Sequence, residues 1–245
     1  MAALFASVSA AQEITSGSDK IQSARFEDPT RRYAHAVLGD DIEWGTLEID
    51  ATNIGATFGI RDAVIRKNTY VFRLPLDHVF EDIAPRLADV TGDGRPEVIV
   101  VETDVAKGAA LAIYNADGKL AETPHIGRAH RWLAPIGAAD LDGDGHVEIA
   151  YIDRPHLAKR LRVWRFKNGK LHHVADHDGL TNHRIGWDYI LGGLRDCGNG
   201  IEMITANANW SKVMATRLGS GGLKSRVVAP YAGPDTIAGA LACKN

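Results

Sequence analysis

Cysteine is scarce in this 245-residue chain, with only Cys197 and Cys243 present. That excludes a small scaffold stapled by many bridges, and an even, minimal pair reads as one disulfide in an exported protein. No stretch approaches the roughly 20 apolar residues of a membrane helix, so no transmembrane segment is expected. Neither sign of charge dominates: 28 Lys and Arg stand against 31 Asp and Glu, a formal net charge of −3. Nucleic-acid readers concentrate Lys and Arg on one face, so no nucleic-acid partner is expected. The one basic cluster, Lys159-Arg160-Leu161-Arg162 with Arg165 and Lys167, alternates with apolar residues as the solvated face of a strand does. Helical periodicity is missing too, and with it the 10–15-residue helical patterns that parallel-sheet units place between strands. The His-Glu-x-x-His and Gly-x-Ser-x-Gly patterns are absent, as is a phosphate-cradling glycine loop, which removes the sequence signatures of several enzyme classes.

What is present is the composition of an ordinary globular protein, 45% hydrophobic and 24% charged. Residues 1–11, Met1 to Ala11, are small and apolar and end in Ser-Ala-Ala before Gln12-Glu13. They read as a signal-peptide remnant, which predicts a periplasmic or secreted protein. Residues 12–245 read as a single domain.

An internal repeat organises that domain. Fifty-one residues separate Asp89 from Asp140, and Glu97 from Glu148. The likeness extends beyond these loops: Ala84-Pro85 recurs as Ala134-Pro135, Val98–Glu102 as Ile149–Asp153, Leu111–Tyr114 as Leu161–Trp164, and Gly118-Lys119-Leu120 as Gly169-Lys170-Leu171. Each unit reads as four short strands, and a period of about 50 residues with four strands per unit points to a small β-propeller. Four blades are placed at 33–83, 84–133, 134–187 and 188–230, and 231–245 are read as a fragment of a fifth, so the ring has four or five blades. In the first of them, Tyr33–Asp40, Thr46–Ile49 and Thr69–Leu74 are the expected strands. In the last, the acidic loop has decayed to Arg195-Asp196-Cys197-Gly198-Asn199-Gly200. Residues 12–32 and 171–188 are the longest segments without a clear strand pattern.

The two intact loops carry the chemistry. Calcium wants six to eight oxygens, and acidic residues at alternate positions of a tight turn deliver them. In the second loop Asp140, Asp142 and Asp144 offer side-chain oxygens, His146 its carbonyl and Glu148 a carboxylate. In the first, Asp89, Thr91, Asp93 and Glu97 take those places, with Arg95 giving its carbonyl. Thr91 replaces a carboxylate, so the first loop is expected to hold calcium more weakly. An EF-hand needs Glu at position 12, but Val100 and Tyr151 stand there and strand-like residues follow.

Over residues 84–171 the sequence resembles the FG-GAP or VCBS repeat family, the integrin-α-type β-propellers. The motif rests on Ala88–Gly94 and Ala139–Gly145, whereas the Phe-Gly and Gly-Ala-Pro elements are absent or reduced to Ala-Pro. The resemblance implies one or two structural calcium ions on the loop between the first two strands of a blade. It also implies a binding or interaction module with a protein or carbohydrate ligand. No residue is singled out as catalytic. The alternative is a periplasmic hydrolase or lyase using His177, Asp178 and His183 in the long 171–188 connection. Among the tryptophans, Trp164 is expected in a blade core, and Trp132 and Trp187 near the ring's mouth.

Overall fold

The computed structural model describes residues 19–55 and 64–244. The segment read as a signal-peptide remnant lies outside these residues. Among those described, the chain forms seventeen strands and one short helix, so the all-β expectation holds.

Three antiparallel meanders of four strands form the centre. The first contains β5 (Arg86–Ala88), β6 (Glu97–Asp104), β7 (Gly108–Asn115) and β8 (Gly118–Glu122). The second contains β9 (Leu133–Ala139), β10 (Glu148–Asp153), β11 (Arg160–Lys167) and β12 (Lys170–Asp178). The third contains β14 (Gly193–Asp196), β15 (Ile201–Asn207), β16 (Lys212–Gly219) and β17 (Gly222–Pro230), with the two-residue β13 (Leu180–Thr181) added to the far half of β15. The repeat seen in the sequence is thus a repeat of whole sheets. The first two meanders even share a ladder irregularity, at Ile113/Tyr114 and at Val163/Trp164. Asn168 and Gly169, both at positive φ, make the tight turn between β11 and β12 that a two-residue hairpin requires.

The meanders stack face to face because their second strands are apolar on both sides. Along β6, Val98 and Val100 enter one core, while Ile99 and Val101 enter the next. Along β10, Ile149 and Tyr151 face back to that same core, and Ala150 and Ile152 face forward to a third. Both strands are buried along their whole length. A sequence of continuous Val and Ile is what such a doubly covered strand needs.

The ends of the stack differ from the sequence reading. Tyr33–Asp40, expected as a strand, is irregular. Instead β1 (Lys20–Thr30), which falls in the segment that lacked a strand pattern, pairs with β2 (Glu43–Gly55), and β2 pairs with β3 (Val64–Arg73). β1 was invisible because only Ile21 and Phe26 are buried along it. This sheet joins the first meander through β4 (His78–Phe80), which pairs with the far half of β6. Residues 231–245, read as a fragment of a fifth blade, contain helix α1 (Pro234–Leu241), whose Ile237 and Ala240 cover the outer face of the third meander. No strand pairing joins the N-terminal sheet to the third meander among the described residues. The Cys197–Cys243 disulfide forms as expected, and it ties the end of α1 to the turn of the third meander rather than closing a ring. Among the described residues no helix is long and apolar enough to cross a membrane.

Candidate functional site

Two regions carry chemistry, at opposite ends of the strands. At one end the acidic loops link β5 to β6 and β9 to β10. Both wrap around their first aspartate. Asp89 accepts the N–H groups of Gly92 (2.7 Å), Asp93 (3.2 Å) and Gly94 (2.8 Å), and Asp140 accepts those of Gly143 (2.7 Å), Asp144 (3.1 Å) and Gly145 (2.9 Å). The turns need Gly92, Gly94, Gly143 and Gly145, all at positive φ. Asp93 and Asp144 each accept an N–H two residues on, from Arg95 and His146, whose carbonyls belong to the same turns. Glu97 and Glu148 reach back to accept the N–H groups of Val90 and Leu141, each at 2.9 Å. Burial pushes both glutamates above the usual carboxylate range. The decayed, shorter third loop also wraps around its aspartate, with Asp196 accepting the N–H groups of Gly198 and Gly200.

The loops differ in what faces the acids. In the second, Asp140, Asp142 and Glu148 bring one oxygen each within 4.8 Å of the others. The Arg165 guanidinium lies among them, bonded to Asp142 (2.6 Å), Asp144 (2.7 Å) and Glu148. The oxygen donors suit a hard cation, and the structure already sets a positive group there. In the first loop Asn115 holds the corresponding place, and the Thr91 hydroxyl donates to Glu97 at 3.2 Å. Arg165 thus sets a positive charge among the four acids of the second loop, which reduces the charge advantage read from the sequence for that loop.

At the other end of the strands lies a cavity of about 330 Å3, lined by His35, His130, Arg131, Trp132, Arg154 and His156, among others. Nothing in the sequence marked this site except Trp132, because its residues come from four separate segments. Residues 31–42 cross the stack here, with the Gly186 N–H donating to the Val37 carbonyl at 3.2 Å. Trp132 is buried and its indole N–H donates to the Glu81 carbonyl at 2.8 Å. His156 stacks on its ring, and His183, which bonds His156 at 2.9 Å, meets it edge-on. Leu157 and Ile185 line the same cavity yet are 63% and 71% exposed.

Behind the cavity three acids are buried: Glu43, Glu81 and Asp82. Burial pushes the Glu81 carboxyl up to about 8 and holds the His35 imidazole down at about 4, with the Arg131 charge adding to the latter. The His35–Glu81 contact is therefore a neutral hydrogen bond near pH 7, not an ion pair. The Thr103 hydroxyl donates to the other Glu81 oxygen at 2.7 Å. Glu43 is pushed higher, to about 9, by burial and by Glu81. Both groups bind protons more tightly folded than unfolded. Their stabilising contribution is thus full below about 4.5 and is lost as pH rises through about 8 and 9. Melting temperature should fall from pH 6 to 9.5, at up to about 1.4 kcal/mol per pH unit for each group. Glu43→Gln and Glu81→Gln should each flatten that fall, and pH profiles that overlay the parent's would refute the assignment.

The residues proposed for a hydrolase do not meet. His177 and Asp178 lie on the outer strand β12, where Asp178 pairs with Arg160 at 2.6 Å, while His183 is buried beside His156 and Trp187. None of the three lines the cavity. Trp164 is buried as expected, its N–H on the Tyr151 hydroxyl. Trp187 forms a half-exposed cluster with Tyr189, Trp210 and Tyr231, and the Arg184 guanidinium lies over Trp187 and Trp210.

Repeated four-stranded meanders, stacked on their faces and each carrying a glycine-rich turn between its first two strands, define an all-β repeat protein. Residues 89–151, which run from the first acidic loop through the second, match the model of the FG-GAP-like repeat family. That segment is similar to an FG-GAP-type repeat. No curated protein and no solved structure matches it.

Proposed function

We propose that this protein is an exported, calcium-binding β-propeller of FG-GAP type that serves as an interaction module, with calcium in a structural role. The observation that carries this reading is the pair of acidic turns at equivalent points of successive meanders inside the family-matched segment. Asp89, Thr91, Asp93 and Glu97, with the Arg95 carbonyl, would hold one ion. Asp140, Asp142, Asp144 and Glu148, with the His146 carbonyl, would hold another once Arg165 yields. The ion would neutralise clustered acids and tie the first strand of each meander to the second. The disulfide supports an oxidising compartment such as the periplasm or the outside of the cell.

The opposite face is the natural place for a partner. Exposed Leu157 and Ile185 rim a cavity walled by Trp132 and two arginines, and the Trp187–Tyr189–Trp210–Tyr231 cluster lies nearby. Aromatic faces flanked by arginine suit a carbohydrate or a protein side chain.

Calcium at about a hundred times its dissociation constant should stabilise the chelated protein by about 2.7 kcal/mol, read as a rise in melting temperature. Asp89→Ala combined with Asp140→Ala should abolish the rise, and identical melting curves with calcium and with chelator would sink the calcium reading. Ile185→Asp with Leu157→Asp should keep that rise while removing binding on an array of soluble glycans and peptides. Undiminished binding by the double variant would place the partner elsewhere.

A further inference from the structure

At the cavity end of the strands, outside the cavity's lining, three side chains converge where two strands and a loop meet. His78 opens β4 and pairs across the ladder with Asp104, the last residue of β6. His125 comes from the loop that follows β8. One ligand atom from each lies within 4.8 Å of the other two.

Each imidazole has its proton placed by its neighbour. Nδ1 of His125 faces the Gly108 carbonyl at 2.7 Å. A carbonyl only accepts, so Nδ1 carries the hydrogen and Nε2 keeps its lone pair. Nδ1 of His78 donates to the Asp77 carboxylate at 2.9 Å, and Nε2 faces the Asp104 carboxylate at 4.0 Å. The other Asp104 oxygen is anchored by the N–H groups of Ala106 (2.8 Å) and Lys107 (3.0 Å). Histidines that ligate metals donate their second N–H to a carboxylate or carbonyl in this way. The loop bearing His125 is also held tightly. Gly108 has φ of +78°, and a Cβ there would come within 2.4 Å of the Arg128 carbonyl and 2.8 Å of the Arg131 carbonyl.

We propose that His78, Asp104 and His125 form a binding site for a divalent first-row transition metal of the zinc class, distinct from the acidic loops. Two imidazole nitrogens and one carboxylate are the donors such ions prefer, whereas calcium takes oxygens. Tetrahedral zinc at about 2.0–2.1 Å from each donor sets them roughly 3.3 Å apart. Small ring rotations therefore close the 4.0 Å gap between His78 and Asp104. The Lys107 ammonium, 2.9 Å from Asp104, now supplies the positive charge, and its side chain is 66% exposed and able to swing away.

The test is titration of the metal-free full chain with Co2+, followed by visible absorption, and with Zn2+, followed by calorimetry. Saturable binding of one equivalent is expected, with no displacement by excess calcium. His125→Ala and Asp104→Asn should weaken it by at least about 100-fold, and Asp77→Asn by about 10-fold. Lys107→Ala should strengthen it. The exposed pair His172 and His173 is the control for casual binding, and His172→Ala with His173→Ala should leave the titration unchanged, as should Asp140→Ala. Far-UV spectra and melting curves establish that each variant is folded. Absence of saturable binding, displacement by calcium, or full affinity in folded His125→Ala overturns the proposal.

Discussion

Trp132→Ala should cost about 3–5 kcal/mol in equilibrium urea unfolding, more than the loss of the disulfide. Trp132 is among the largest fully buried side chains, 2% exposed, at the junction of the first two meanders. Three losses combine. The ring leaves a void in the core cluster that also holds Val37, Val101 and Leu133, which the surrounding strands cannot collapse to fill. Its N–H no longer reaches the Glu81 carbonyl, leaving a buried acceptor without that donor. His156 and His183 lose the ring they pack on. Trp132→Phe separates the first loss from the second: it should retain most of the packing and cost about 1–2 kcal/mol, chiefly the hydrogen bond and part of the volume. A cost below about 1 kcal/mol for Trp132→Ala would mean that the cavity wall is not part of the cooperative core.

Removing the disulfide should rank next. Cys197 and Cys243 are 46 residues apart in sequence, and a cross-link closing a loop of that size stabilises by about 2–4 kcal/mol. The effect should be local in origin. An eight-residue helix is too short to persist alone, so α1 survives through what it buries and what ties it down. Ile237 and Ala240 fill the face of the third meander with Ile204, Ala206, Val213 and Ala215. The buried Arg195 guanidinium, held by Glu202, donates to the Ala240 carbonyl at 2.6 Å. In Cys197→Ser with Cys243→Ser, α1 should lose amide-exchange protection before the meanders do, and the outer face of β15 should become exposed. Unchanged protection across 234–241 together with unchanged melting would show that burial alone holds the helix.

Some of this was legible in the residues themselves. The acidic turns were, because every bond that shapes them lies within the loop: Asp140 takes N–H groups three to five residues ahead, and Glu148 reaches back seven. The inner strands were, because a strand covered on both faces needs a continuous apolar run, as Val98–Val101 of β6 and Ile149–Ile152 of β10 supply. The pairing of Cys197 with Cys243 was, since no other cysteine exists. β1 was not, because a strand buried at Ile21 and Phe26 alone shows almost no alternation. α1 was not, because it presents only Ile237 and Ala240 as buried residues.

The sequence by itself determined the repeat, the inner strands and the glycine-bounded turns, since these follow from hydrogen bonds and side-chain alternation between residues close along the chain. Only the tertiary structure decided how the stack ends, with a three-stranded sheet on one side and a helix on the other. It also decided the company of the titratable groups. Arg165 meets Asp142 across 23 positions, His35 meets Glu81 across 46, and the His130 N–H meets the Tyr33 hydroxyl across 97. Such partners are chosen by which faces pack together. That is why the cavity, the neutral His35–Glu81 pair, the arginine within the second acidic loop and the His78–Asp104–His125 cluster leave no pattern along the chain.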